Sequence, residues 1–430
     1  MNAHDSERMA GLLESAGYEP AAEVADADVV ILNTCTVREK AEDKVVSRIG
    51  EIRAESDSLG RVPVVAVAGC MAQQEGAALF RRSPYVNVVV GTQAEKRLPI
   101  LIDQAVDSSR RQIDINPYED VSFPLGMARR SDPVKAYVTA IEGCDDYCAY
   151  CVVPYTRGHE RMRAKADILA DVRDAAATGH SEIQLLGQIV NHYQAPDDPG
   201  CDFAGLLEAV DAMPGVARIR FASPHPRHVT PRLVEAIGGL RRVCKHIHLP
   251  VQSGSTRVLA AMRRRHTREE YLALVDSLRA RVQGIQFSTD MIVGFPGETP
   301  EDFADTLSLV EQVRFSSMFS FAYSERPGTL AAKKLADDVP AGEKSRRLAE
   351  LQSRQKDIQQ ALHQAQVGQV VEVLVDSVSR RRDTEVSGRT TGNTVVNFPG
   401  TPSQLGSLVQ VRIERAGPNS LSGRMETPCR

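Results

Sequence analysis

The chain has 430 residues, 42% of them hydrophobic and 25% charged, with a formal net charge of −4; it is too long for one ordinary domain and composed like a globular protein with a full apolar core. Its slight acidity excludes a wholesale basic nucleic-acid binder and confines any RNA contact to local basic patches. No apolar run reaches the length of a membrane span and the N-terminus lacks a signal peptide's pattern, so a cytoplasmic protein away from membranes is expected.

Residues 1 to about 112 read as alternating helix and buried strand. Asp5 is the expected N-cap of an amphipathic helix carrying Met9, Leu12, Leu13 and Ala16, closed by Gly17. Three β-rich runs follow, Val29–Leu32, Val64–Val67 and Val86–Val90, separated by polar helical stretches, the pattern of a small parallel α/β domain. Two of them end at a cysteine, Cys35 and Cys70, and the third at Gly91-Thr92. Loops at the carboxyl ends of parallel strands are where such folds place their sites, so both cysteines are candidate ligands. From about Gln112 to Asp132 the periodicity is lost, and a linker is expected over 113–132.

The run Tyr137–Ile141 then leads into Gly143-Cys144-Asp145-Asp146-Tyr147-Cys148-Ala149-Tyr150-Cys151. Three cysteines spaced Cys-x3-Cys-x2-Cys suit a cubane iron–sulfur cluster, which takes thiolate ligands and here keeps one iron open for a small chelating molecule. The competing reading is a structural Cys3His zinc site using His159, although zinc ligands more often come as two separated pairs. The other cysteines, Cys201, Cys244 and Cys429, read as incidental thiols, and in a large cytosolic chain none of the eight is expected in a disulfide.

Strand candidates continue at Ile183–Leu186, Arg218–Phe221, His246–Leu249, Gln286–Val293 and Met318–Ala322, with helices between them. Thr267-Arg268-Glu269-Glu270 is a capping box, and Thr299-Pro300 a second helix start. Six strand–helix units over 133–362 predict an incomplete parallel barrel with its site at the strand C-termini. After a charged helical connector, Lys344–Gln364, five short runs predict a small OB-like β-barrel over 363–430, at Val370–Val375, Thr384–Gly388, Thr394–Phe398, Leu408–Ile413 and Ser420–Arg424. Arg380-Arg381-Arg382 lies in one of its loops and is a candidate RNA contact.

Several strings resemble the MiaB-type tRNA methylthiotransferases: Asn33-Thr34-Cys35-Thr36-Val37-Arg38-Glu39, Gly69-Cys70-Met71-Ala72-Gln73, the cysteine triad itself, and Val152-Val153-Pro154-Tyr155-Thr156-Arg157-Gly158. Leu185-Leu186-Gly187-Gln188, Phe221-Ala222-Ser223-Pro224-His225-Pro226, His248-Leu249-Pro250-Val251-Gln252-Ser253-Gly254-Ser255, Thr289–Thr299 and Arg326-Pro327-Gly328-Thr329 continue the series in order. The resemblance implies an N-terminal methylthiotransferase domain, a radical S-adenosylmethionine (SAM) partial (βα)6 barrel and a C-terminal TRAM domain that holds tRNA. It implies two [4Fe–4S] clusters. Cys144, Cys148 and Cys151 would hold one, with SAM on its open iron as the source of a 5′-deoxyadenosyl radical. That radical would take hydrogen from C2 of an isopentenylated adenosine beside the anticodon, and the second cluster would deliver sulfur methylated by another SAM. An inert C2–H bond calls for a radical cofactor, while the protein orients the substrate. Gly187, Gln188, Ser223 and Gln252, at successive strand ends, would line the SAM pocket. A reductant such as flavodoxin or ferredoxin and a sulfur donor are implied partners, and a monomer is expected.

The resemblance departs at one ligand. The family's second cluster uses three N-terminal cysteines, of which this chain supplies Cys35 and Cys70; aligned on Met1-Asn2, the other would fall two positions before the first residue. A start assigned too far downstream, or a truncated form with a crippled second cluster, would each account for this. Ile189, Met162, Ala164 and Glu325 are smaller departures. Methylthiolation of threonylcarbamoyladenosine or of a ribosomal protein, and a catalytically silent iron–sulfur RNA-binding protein, are the alternative functions.

Overall fold

The computed structural model describes residues 1–34, 39–117, 128–379 and 384–426, with only the backbone of 39–43 and 59. Cys35, Arg380-Arg381-Arg382 and Cys429 lie outside the described residues. The chain forms two compact units: Met1–Ser131 with Glu142–Tyr147 and Cys151–Arg163, and Asp132–Ile141 with Cys148–Tyr150 and Ala164–Arg430.

The first unit is built on a parallel sheet of four strands in chain order, Val29–Thr34, Val64–Gly69, Val86–Val90 and Gln112–Asp114. Its strands are apolar on both sides because both faces are covered. Ala66, Ala68, Val88 and Val90 pack with Met9, Leu98 and Ile102 on one face; Val65, Val67 and Val89 pack with Ile49, Ile52 and Leu79 on the other. The last strand corrects the expected linker, whose first residues pair with Val88–Val90; three residues are too few to show a period.

The opening helix is Asn2–Ser15, so Asp5 lies within its first turn rather than at its cap. The carboxylate is buried against Arg157, which takes it away from the helix end. Gly17, at φ 91°, closes the helix as expected, with the Tyr18 N–H donating to Leu13 O.

The second unit begins with six parallel strands in chain order. Lys135–Thr139, Glu182–Leu186 and Arg218–Phe221 form one sheet, and His246–His248, Gln286–Val293 and Ser317–Ala322 another. A parallel bridge between Ile219 and Val243 joins them into the expected partial barrel. Both helix starts read from the sequence carry capping boxes, Thr267 with Glu270 and Thr299 with Asp302.

Helix Ala341–Gln364 leads to a closed barrel of five strands, Val370–Val378, Glu385–Thr390, Val395–Pro399, Leu408–Ala416 and Leu421–Met425. Its interior is filled by Val373, Val375, Val386, Val396, Phe398, Val411, Ile413 and Leu421. Two buried arginines fasten it to the parallel barrel within this unit. Arg218 donates to the carbonyls of Arg389 and Glu372, and Arg220 donates to Thr390 O at 2.8 Å while pairing with buried Glu182 at 2.9 Å. Sequence periodicity marked 218–221 as a strand without revealing that its charged residues are the joint.

Candidate radical SAM site

The chain passes between the two units inside the cysteine loop. On the first unit's side, Gly143 has φ 80°, and a Cβ there would lie 2.0 Å from His159 O. Only glycine allows this approach, which sets the Cys144 N–H on Gly158 O at 3.1 Å. Cys144 is buried and Cys151 partly so. The Cys151 sulfur accepts the Val153 N–H at 3.4 Å, where the short helix Val153–Arg157 begins.

On the second unit's side, Ala149 is stitched at both ends, its N–H to Met262 O at 2.9 Å and its carbonyl to the Ala331 N–H at 2.7 Å. The Cys148 sulfur accepts from Arg264 Nη1 at 3.6 Å, and Arg264 Nη2 is fixed on Pro250 O at 2.8 Å. The sulfurs of Cys148 and Cys151 thus each have an N–H donor, the kind of hydrogen bond that tunes the potential of an iron–sulfur cluster. His159, the histidine of the zinc alternative, has its Nδ1 2.7 Å from Asp145 Oδ1. Among the described residues no three His, Cys, Asp or Glu side chains converge as on a single ion, a convergence that thiolates bound to separate irons do not need.

The expected SAM-pocket residues follow strands of the second unit. Ser223 and Gln252 have φ of 57° and 78°, left-handed conformations that are costly outside glycine and cluster at functional sites. Gln188 Oε1 is buried without a hydrogen-bond partner among the described residues, so it is a polar atom suited to a ligand. Gly187 sits in a tight turn: a Cβ there would lie 2.9 Å from Val190 Cα, so the turn itself requires glycine.

Sequence reasoning missed the lock between the loops that carry Gln188 and Ser223. Buried Asn191 donates to His225 O at 2.9 Å and accepts the His225 N–H at 2.8 Å. His225 Nδ1 accepts the Arg227 N–H at 3.1 Å, which leaves the ring proton on Nε2. Burial, followed by the charge of Arg264, keeps this imidazole neutral, far below the ordinary histidine range.

In the first unit, Cys70 opens helix Cys70–Glu75 at the end of its strand and is buried. The preceding Gly69, at φ 89°, brings two strand ends together, since a Cβ there would meet Asn33 Oδ1 at 2.4 Å and Thr34 O at 2.8 Å. Buried Arg157 donates to Asp5 Oδ2 at 2.5 Å. Burial opposes its charge, but Asp5 and then the Cys70 sulfur outweigh that and keep it protonated. Glu95 is pushed well above the usual carboxylate range by its burial and next by Asp5. The Val153–Arg157 segment is therefore electrostatically tied to the second-strand cysteine, a link that the sequence string contained but did not display.

The description "Uncharacterized protein family UPF0004" matches residues 1–91, "Radical SAM superfamily" matches 138–310, and "TRAM domain" matches 364–425. Among solved structures, the radical S-adenosylmethionine methyltransferase TsrM of Kitasatospora setae shares the fold. Its TM-score is 0.57 at 17% identity, covering 77% of this chain and 72% of that one. Proteins named tRNA-2-methylthio-N(6)-dimethylallyladenosine synthase are similar along the whole length. That of Thiobacillus denitrificans is 46% identical over 99% of this chain and 96% of its own, and that of Moorella thermoacetica is 46% identical with the same coverage. With such identity sustained across all three matched regions, the chain belongs to the family of the tRNA-2-methylthio-N(6)-dimethylallyladenosine synthases, in the radical SAM superfamily.

Proposed function

We propose that the protein methylthiolates C2 of N6-isopentenyladenosine next to the tRNA anticodon, giving 2-methylthio-N6-isopentenyladenosine. What carries this reading is the intact triad Cys144, Cys148 and Cys151 in a chain whose relatives of that name match it over 99% of its length. The triad would hold the [4Fe–4S] cluster that chelates SAM, and Cys35 and Cys70 would be ligands of a second cluster. When bound, the reduced cluster and SAM supply the radical that removes hydrogen from C2; a second SAM is the methyl donor.

The chain's own residues bind and orient. Gln188, Ser223 and Gln252 would contact SAM at the strand ends, and Asn191 with His225 holds two of the contributing loops in register. Arg264, anchored on Pro250 O, donates to the Cys148 sulfur. The five-stranded barrel at the C-terminus would hold the tRNA. A one-electron reductant of the flavodoxin or ferredoxin kind and a sulfur donor complete the reaction, carried out by a monomer in the cytoplasm where its tRNA is.

The test is mass spectrometry of tRNA nucleosides from cells lacking this activity that express the chain. We expect the 2-methylthio nucleoside with the native triad and none with C148A. Accumulation of unmodified isopentenyladenosine with the native chain would overturn the substrate assignment.

A further inference from the structure

A closed parallel barrel fills its interior with layers of branched apolar side chains. Here the six strands and the C-terminal barrel line a half-open cavity of about 490 Å3 whose wall includes Lys135, Gln184, His248, Ser288 and Phe319. That volume is in the range of sites that enclose a small organic ligand.

Its wall combines an aromatic platform with fixed hydrogen-bonding groups. Phe319 is 54% exposed, and a phenyl ring left open to a polar cavity is stabilised by whatever covers it. The His248 ring stands edge-on to it, centroids 6.1 Å apart. His248 Nε2 faces Asp290 Oδ2 at 3.4 Å and its Nδ1 faces Ser288 Oγ at 2.9 Å; Ser288 Oγ also lies 2.9 Å from His246 Nε2. With Asp290 accepting the Nε2 proton, Ser288 donates to His248 Nδ1 and accepts from His246, so one directional chain fixes the imidazole.

The cavity is shared between two parts of the unit. The turn Gly392-Asn393 of the C-terminal barrel lines it; Asn393 has φ 68°, and a Cβ on Gly392 would lie 2.8 Å from Gln286 Cγ. At the other side it reaches Ala222, the residue before Ser223. Lys135 and Arg389 bring cationic groups to the wall, each beside a carboxylate (Asp132 at 3.6 Å and Asp376 at 3.5 Å), and the carboxylate of Glu182 is paired with Arg220. An open aromatic face, oriented hydrogen-bonding groups and cations suit a planar, polar aromatic ring carried on a phosphodiester chain. Those are the features by which proteins hold an unstacked RNA base.

We propose that this cavity receives the adenine ring of the nucleotide being modified, stacked on Phe319 and facing His248, so that C2 is presented toward the Ala222-Ser223 strand end. This inference rests on the proposed function and assigns its substrate site. Phe319 is in this account a substrate-binding residue with no part in electron transfer.

The test compares F319A, F319L and F319Y holoenzymes on an isopentenylated anticodon stem-loop RNA. A matched RNA carrying 2-aminopurine at the target position reports base stacking. Loss of stacking should raise KM about 10-fold or more in both F319A and F319L and remove the 2-aminopurine quenching, whereas F319Y should restore both. A packing role would be rescued by leucine, so an F319L enzyme with native KM and native quenching overturns the proposal. If the native holoenzyme forms no methylthiolated nucleoside yet quenches 2-aminopurine through Phe319, the base site stands and the proposed function fails. If it forms product while F319L matches it, the base site alone fails.

Discussion

Gln252 holds its backbone at φ 78° while its N–H donates to Asp290 O at 3.0 Å and its carbonyl accepts the Ile292 N–H at 2.9 Å. The two bonds to the neighbouring strand stabilise a conformation that costs about 1 to 2 kcal/mol for a residue with a Cβ. Relief of that strain in Q252G should therefore raise stability by up to about 1 kcal/mol, offset in part by the extra freedom of glycine in the unfolded chain. If the amide contacts SAM, the same variant should bind SAM less tightly. Thermal melting with SAM titration checks both, and a variant that melts lower while keeping native SAM affinity would contradict the assignment. At this scale the sequence displayed candidate ligands but not constraints. The triad was legible because cysteine chemistry and spacing are local, whereas the Asn191–His225 lock joins residues 34 apart and leaves no periodic mark.

Among the elements, helix Pro300–Val313 shows how a legible start signal can conceal a second use. Thr299 and Asp302 form its capping box, and Asp302 also accepts from Ser255 at 2.6 Å and pairs with Arg257. Burial alone would raise the Asp302 carboxyl, but hydrogen bonds from Arg257, Ser255 and Thr299 overcome it and hold the pKa at about 2, below the usual 3.8. A carboxyl depressed in the folded state contributes stability above its unfolded pKa and loses it as pH falls through the folded one. Stability should therefore decline between about pH 4 and 2 in the native protein. In D302N that part of the pH dependence should vanish, with lower stability at neutral pH, as chemical denaturation across this window would show. An equally steep acid decline in D302N would place the responsible carboxyl elsewhere.

Elements with a clear period, such as the buried strands of the first unit and the five strands of the closed barrel, were legible because burial on both faces or alternation writes itself into the sequence. Strand Gln112–Asp114 and the true position of Asp5 were not. The strand is shorter than a readable period, and Asp5 is set by a partner 152 residues away.

For the molecule as a whole, the order of a parallel α/β unit, a partial parallel barrel and a closed β-barrel was readable from where the period changes. What joins the last two was not readable. Arg218 and Arg220 occupy a strand whose four residues are all buried, and their guanidinium groups satisfy backbone carbonyls of the closed barrel. A buried arginine is tolerated only with such partners, and those partners are 154 to 171 residues distant in sequence. The polar cavity belongs to the same category, since it exists only once strands from six separate segments and the Gly392-Asn393 turn have come together.

The central claim is that the triad-bearing barrel attacks C2 of the target adenine by a radical route. The most direct measurement follows the C2 hydrogen itself, with RNA deuterated at C2 of its isopentenyladenosine, the reduced holoenzyme and SAM. The account predicts that 5′-deoxyadenosine recovered alongside the methylthiolated nucleoside carries the deuterium. Methylthiolated product accompanied only by unlabelled 5′-deoxyadenosine would contradict it.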